Sequence, residues 1–184
     1  DAAAEIDAGL LRDIGLAAGF FEPIESTNIH LIQTAITRLI AFFPHAGMDQ
    51  ADIDEFNAQV TFEYERIRDF VILHYKATER DDSPFWRHCQ AMEIPATLQH
   101  KIDLYRSNGR IFREGGELFA ELSWLQVMEG QRIHSRGHHP FADLIPEARA
   151  REFLDDVRSV VRRCVDVMPT QAEYIAAHCA AQAA

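Results

Sequence analysis

Gly15-Leu-Ala-Ala-Gly-Phe-Phe-Glu-Pro-Ile-Glu-Ser-Thr-Asn-Ile-His30 packs glycines, a proline, two acids and two hydroxyls ahead of an apolar run. Small residues and glycines lead to Pro23, and an acid with two hydroxyls then opens an apolar helix. That order describes backbone passing close to something, followed by a helix N-terminus. Ser26 or Thr27 can cap the helix, and the unpaired N–H groups of its first turn favour an anion. Glu25 sits at the electropositive end, where a carboxylate is tolerated. A tight loop with an acidic cap has the same residue order, because capped helix starts occur in every kind of domain.

Beyond this stretch the pattern is helical. Ile29, Ile32, Ala35, Ile36, Leu39, Ile40 and Phe43 recur at three- and four-residue steps, one apolar face that ends before Pro44. Pro44-His-Ala-Gly47 reads as a loop, after which Asp49 or Asp52 can cap. Ile53, Phe56, Val60, Tyr64, Ile67, Val71 and His74 repeat the spacing, and no Pro or Gly interrupts residues 49–78. One long helix packed against residues 29–43 is predicted. A coiled coil shows the same stripe, but flanking helices of like pattern favour burial inside a globular domain. Ser83 and Pro84 open a short helix; Pro95 opens another through Arg106, which Asn108-Gly109 stops. Arg110-Ile-Phe-Arg113 reads as a short extended segment. A helix is expected over 117–128 with Leu118, Leu122, Leu125 and Met128 on one side. Pro146 starts a helix to Val167, and an alanine-rich one follows Pro169. Residues 2–12 have helical composition, weakened by Gly9. With no repeat and no strand alternation, the chain reads as mainly α, a single multi-helix domain over residues 1–184.

Net charge is −11, from 29 acids against 18 bases, which argues against nucleic acid and against an anionic membrane surface. No apolar run is long enough to span a bilayer, and Asp1-Ala-Ala-Ala-Glu5 lacks the basic flank and the apolar core expected of a signal peptide. Cys89, Cys164 and Cys179 form no CxxC, which fits small core residues in a reducing cytoplasm. His134, His138 and His139 cluster in a glycine-containing loop with no cysteine or acid in ligand register, so no metal is expected. His30 and His74 stand on apolar stripes and read as hydrogen-bonded core residues.

Gly19-Phe-Phe-Glu-Pro-Ile-Glu-Ser-Thr27 resembles the G-F-L-E-P-L-E-S-T signature of the flavin-dependent tryptophan halogenases. The likeness continues, in order, through His30-Leu-Ile-Gln33, Ile67-Arg-Asp-Phe-Val-Ile-Leu-His-Tyr75 and Asp82-Ser-Pro-Phe-Trp86. It goes on through Ser123-Trp-Leu-Gln126 and His139-Pro-Phe-Ala-Asp143, the last read as a structural turn. It covers only the C-terminal, substrate-side part of that family, which makes the chain look like a fragment of an α/β flavin-monooxygenase-like halogenase. The G-x-G-x-x-G and W-x-W-x-I-P motifs are absent, and neither Lys76 nor Lys101 has the context of the family's catalytic lysine.

The resemblance implies reduced FAD, supplied by a flavin reductase, which with oxygen and chloride or bromide yields hypohalous acid for an aromatic substrate. It places the catalytic carboxylate on Glu25, which would also touch substrate, and the serine bridging flavin and substrate on Ser26. Halide-binding amides fall on Thr27 and Asn28, and residues flanking the flavin ring on Leu16 and Ile29. Alignment on Trp124 leaves Phe112, Arg113 and Phe119 where tryptophan-specific members carry two tyrosines and a glutamate. Trp124, Phe112 and Phe119 are therefore expected to wall the substrate, with indole or a larger aromatic favoured over free tryptophan; alternatively Trp124 and Phe119 are simply core. Expected partners are the aromatic substrate, an N-terminal FAD domain and, through apolar surface left exposed without it, a second copy of the chain. The alternative function is a non-catalytic helical small-molecule-binding protein; a helical regulator would need a DNA-reading module that so acidic a chain lacks.

Overall fold

The computed structural model describes residues 19–44, 47 and 49–179. The helix expected over 2–12, and Leu16, lie outside them. In order come a 3-10 turn (Pro23–Glu25), α1 (Asn28–Ala41), α2 (Gln50–Lys76), α3 (Pro84–Ala91), α4 (Ala96–Asn108) and α5 (Glu121–Gly130). A second 3-10 turn (Pro140–Leu144), α6 (Glu147–Val167) and α7 (Gln171–His178) follow. There is no strand among the described residues, so the fold is mainly α. None of these helices is long and apolar enough to cross a membrane. The chain divides into two compact units, Asp1–His138 and His139–Ala184.

Local chemistry sets the helix ends. Asp49 accepts from the Ala51 N–H at 3.0 Å and starts α2, and the Ser83 hydroxyl accepts from the Trp86 N–H at 3.4 Å with Pro84 at the first position of α3. Gly109 closes α4 at φ 65°, a left-handed conformation that costs glycine little. In the second unit Thr170 and Glu173 form a capping box for α7.

Helix α2 is the spine of the first unit. From residue 63 onward Glu63, Arg66, Ile67, Asp69, Phe70, Val71 and Leu73 are buried, more than a single narrow stripe of the helix. One apolar cluster joins Phe70 and Leu73 to Leu98, Ile102 and Tyr105 of α4, Trp124 and Met128 of α5, and Ile133. A smaller one joins Leu31 of α1 to Ile67 and Val71. Each large side chain so buried stabilises the fold by about 1.5–3 kcal/mol.

The buried acids of α2 decide which faces its neighbours present. Glu63 is held by His30 (3.0 Å), the Thr34 hydroxyl (2.9 Å) and Arg38. Asp69 is held by Arg68 (2.9 Å), Arg66 (3.4 Å) and the Thr97 hydroxyl. Because His30, Thr34 and Arg38 must face Glu63, α1 turns its Leu31 side to α2. Most of the apolar stripe expected to make that contact is displaced: Ile29, Ile36, Ile40 and Phe43 are exposed.

A similar correction applies to α5, which begins at Glu121 rather than at 117. The Glu117 carboxylate accepts from the Glu114 N–H at 3.1 Å, and the Arg113 guanidinium donates to the Glu117 carbonyl at 2.6 Å, so residues 113–117 are tied into a loop. The buried face carries Trp124 and Met128, whereas Leu122 and Leu125 are exposed. In the second unit α6 keeps an exposed apolar stripe of Phe153, Leu154, Val157 and Val161, flanked by the pairs Arg149–Glu152 and Arg151–Glu147.

Asp69→Ala leaves α4 without the acceptor for Thr97 and strips Arg66 and Arg68 of a buried partner. We expect a loss of about 2–4 kcal/mol in chemical denaturation. A loss below about 0.5 kcal/mol, the scale of an ordinary surface change, would show that the buried acid is not what fixes α4 on α2.

Candidate functional site

The loop before α1 is held against α2 by several small devices. Asn28 ties it to itself, donating from Nδ2 to the Phe21 carbonyl at 2.9 Å and accepting the Phe21 N–H at 3.1 Å. Gly19 passes so close to Tyr64 that a Cβ there would lie 2.7 Å from a ring carbon, so no other residue fits without displacing the ring. Glu22 accepts the Ile24 N–H at 3.2 Å. Burial, followed by its hydrogen bond to Glu22, pushes the Tyr75 phenol above its ordinary value. Ser26 closes the turn onto the Pro23 carbonyl at 3.0 Å with φ 53°, a left-handed conformation that strains an L residue.

This turn delivers Glu25 to α2, where its Oε1 lies 2.8 Å from His74 Nε2. His74 Nδ1 lies 2.8 Å from the Phe70 carbonyl. A carbonyl can only accept, so Nδ1 carries a proton. The contact between Nε2 and Glu25 therefore holds one further proton, on the imidazole or on the carboxyl.

Neither hydroxyl caps α1 as expected. Thr27 occupies the N-cap position but has no side-chain cap bond. Its φ −79° and ψ −12° are already helical, whereas a capping side chain needs an extended backbone. The Thr27 hydroxyl is buried without a partner. Ser26 Oγ reaches back to the Pro23 carbonyl at 3.5 Å instead. The N–H groups of Asn28, Ile29 and His30, in the first turn, thus have no intrahelical acceptor and no side-chain cap. Ile29 stands beside them, 70% exposed. An exposed apolar side chain next to free amides and an orphaned hydroxyl fits the edge of a flavin ring with a halide beside it. These residues offer nothing that cradles a pyrophosphate.

An aromatic chain runs inward from His74. Phe70 lies edge-on to His74 (5.1 Å between centroids) and to Trp124 (4.8 Å), and stacks on Phe119 at 3.8 Å. Of the three expected substrate-wall residues, Phe112 and Trp124 border one cavity of about 160 Å³, and Phe119 packs on Phe70 instead. Glu25 does not line that cavity; it is linked to Trp124 only through His74 and Phe70. A wider groove of about 520 Å³ is lined by His74 itself with Ile24, Trp86, Arg80, Gly130 and Arg132.

Sequence reasoning missed His74 as the partner of Glu25, and it missed Lys101. The Lys101 ammonium, 6% exposed, pairs with Glu114 (2.9 Å) and Glu117 (3.3 Å), donates to the Phe112 carbonyl (3.1 Å) and lies 4.9 Å over the Trp124 ring. The available signal was its scarcity, since the chain has two lysines and both are anchored: Lys76 donates to the carbonyls of Gln90 and Met92, each at 2.7 Å.

A family model described as tryptophan halogenase matches residues 11–147. A flavin-dependent halogenase structure from Xanthomonas campestris is 52% identical with a TM-score of 0.87, covering 93% of this chain and 34% of that one. Another from Brevundimonas sp. BAL3 is 41% identical with a TM-score of 0.83, covering 89% and 33%. The 7-chloro-L-tryptophan 6-halogenase of Kutzneria sp. is 35% identical over 167 residues, 89% of this chain and 32% of that protein. The chain thus spans about a third of the length of these relatives. All three are halogenases, which does not favour the non-catalytic alternative.

Glu114 carries the pH dependence of the loop beside Trp124. Burial pushes its carboxyl up, but Lys101, Arg66 and His100 outweigh this and hold it below the ordinary 4.5. Its contribution to stability is therefore full above that value and is lost as pH falls through the depressed one. We expect parent to exceed Glu114→Gln in stability at pH 7 and the gap to close at lower pH. A gap that stays constant down to about pH 3 would refute the linkage.

Proposed function

As the chain belongs to the tryptophan halogenase family, we propose that it forms the helical, substrate-side part of a flavin-dependent halogenase acting on an electron-rich aromatic ring of the indole or tryptophan type. The observation that carries this reading is Glu25, held 2.8 Å from His74 at the end of a strained turn and immediately before an uncapped helix start. An N-terminal FAD-binding part of the intact enzyme, fed with reduced FAD by a reductase, completes the assembly.

When bound, reduced FAD with oxygen and halide supplies hypohalous acid; the residues of this chain govern what happens next to it. The amides of Thr27 and Asn28 hold chloride or bromide without a countercharge, so the halide stays nucleophilic. Ile29 would lie against the flavin ring and keep water from the oxidant, the role that the family resemblance also gives to Leu16. Ser26 would stand between the flavin and the substrate once both are bound. Glu25 faces the aromatic ring, stabilises the cationic ring formed on attack and takes the ring proton. His74 fixes the Glu25 carboxyl in place. Trp124 and Phe112 belong to the substrate side, with Phe119 acting through its stack on Phe70.

Glu25→Gln in the intact enzyme keeps the shape and removes both charge and proton acceptor. Substrate binding should change little, while halogenation slows about a hundred- to a thousandfold, the roughly 2–4 kcal/mol of a charge stabilising a transition state in a dry site. Flavin oxidation should continue, with oxidant released unproductively. Glu22→Gln, whose side chain serves the turn, should be milder. Single-turnover halogenation with pre-reduced flavin measures both, and a Glu25→Gln enzyme that halogenates at the parent rate sinks the assignment.

A further inference from the structure

The proton shared by Glu25 and His74 has two possible owners, and they leave Glu25 with different chemistry. His74 Nδ1, 2.8 Å from the Phe70 carbonyl, keeps its own proton there. Nε2, 2.8 Å from Glu25 Oε1, is therefore bare whenever the imidazole is neutral. A bare nitrogen and a carboxylate oxygen are both acceptors and repel at that distance, so the contact persists only with a proton in it. On Glu25 that proton makes a neutral carboxyl, with no charge to offer a cationic ring. On His74 it leaves a carboxylate held through Oε1, with Oε2 open to take a proton.

The surroundings give His74 no competing acid. Glu25 is the one carboxylate within ion-pair distance of it among the described residues. Its own helix turns the Phe70 carbonyl and the edge-on Phe70 ring toward it. On the groove that His74 lines, Glu79 is engaged by Arg132 (2.6 Å) and Arg80 by Asp82 (2.8 Å), so those charges are already paired. Gln131, just beyond α5 on the same groove, is uncharged.

Resting on the role proposed above for Glu25, we propose that His74 is a positioning residue that owns the shared proton, so that Glu25 meets the aromatic ring as a carboxylate. In the step itself the ring C–H bond breaks, its electron pair returns to the ring, and the proton passes to Glu25 Oε2. The His74 proton stays on Nε2 throughout. It is present at lower pH and lost as pH rises; its loss sets two acceptors against each other and turns Glu25 out of place.

Two substitutions in the intact enzyme separate the two bonds of the imidazole. His74→Gln puts an amide N–H near the place of Nε2 and keeps it at every pH. His74→Asn puts one near Nδ1 and keeps only the bond to Phe70. Single-turnover halogenation with pre-reduced flavin is followed over about pH 5–9, around the range in which an ordinary histidine changes charge. The parent should lose rate on the alkaline side. His74→Gln should show no such loss and stay within about tenfold of the parent at neutral pH, whereas His74→Asn should be slowed about a hundredfold, the scale of a misplaced catalytic group. Aromatic substrate should bind both variants about as tightly as the parent, which also shows that they are folded. In the resting parent enzyme at neutral pH, nitrogen-15 resonances of His74 should show both ring nitrogens protonated. A His74→Gln enzyme with the parent's alkaline loss, a His74→Asn enzyme as fast as His74→Gln, or a resting His74 with one bare nitrogen would overturn the proposal. The resonances need no turnover, so an error about the proton is told apart from an error about Glu25, which a Glu25→Gln enzyme at the parent rate would reveal.

Discussion

Two buried acidic side chains on one helix constrain the elements packed around it. Glu63 and Asp69 of α2 are buried, and a buried carboxylate is tolerable only where cations and hydroxyls reach it. Glu63 takes its partners from α1, so α1 has one rotation about its axis and one position along α2. Asp69 takes Thr97 from the start of α4 and Arg66, and Arg66 in turn reaches Glu114. Apolar packing of Phe70, Leu73, Leu98 and Trp124 supplies the bulk of the stabilisation but is indifferent to register. The ionic contacts supply that register.

The same helix carries the functional groups at the ends of short lever arms. His74 lies one turn beyond Phe70, binds its carbonyl and meets Glu25; Phe70 meets Trp124 and Phe119. In the role proposed for Glu25, facing a reacting ring, a carboxylate gains from such support, since positional error costs rate steeply. The strain at Ser26 and the orphaned Thr27 hydroxyl fall in the same turn. Polar groups left unsatisfied and backbone held in a rare conformation are tolerated where the surroundings over-determine them.

Much of this was legible in the sequence, and the misses have physical causes. The span of α2, the starts at Ser83 and Asp49, and the stop at Gly109 follow from local propensity and capping, which the chain states within a few residues. The rotation of α1 was not legible, because the stripe Ile29, Ile36, Ile40 and Phe43 is as regular as a buried one. What overrides it is a carboxylate some thirty residues away. Thr27 failed as a cap because its backbone conformation, not its side-chain chemistry, decides. Glu25 stood out by its place in the signature Gly19-Phe-Phe-Glu-Pro-Ile-Glu-Ser-Thr27. Its partner His74 looked like any histidine on an apolar stripe, and only the fold brings the two within 2.8 Å. Lys101 was set aside for want of a motif, yet it is the cation around which residues 112–117 and Trp124 are arranged.

In the function proposed above, the uncapped start of α1 receives the halide beside Glu25. Crystals of the intact enzyme with FAD, soaked in bromide, test it through the anomalous scattering of that ion. A bromide peak within hydrogen-bond distance of the Thr27 and Asn28 amides, with the flavin ring against Ile29, is the predicted result. Bromide bound only elsewhere, with the first turn of α1 facing solvent or another protein segment, would contradict it.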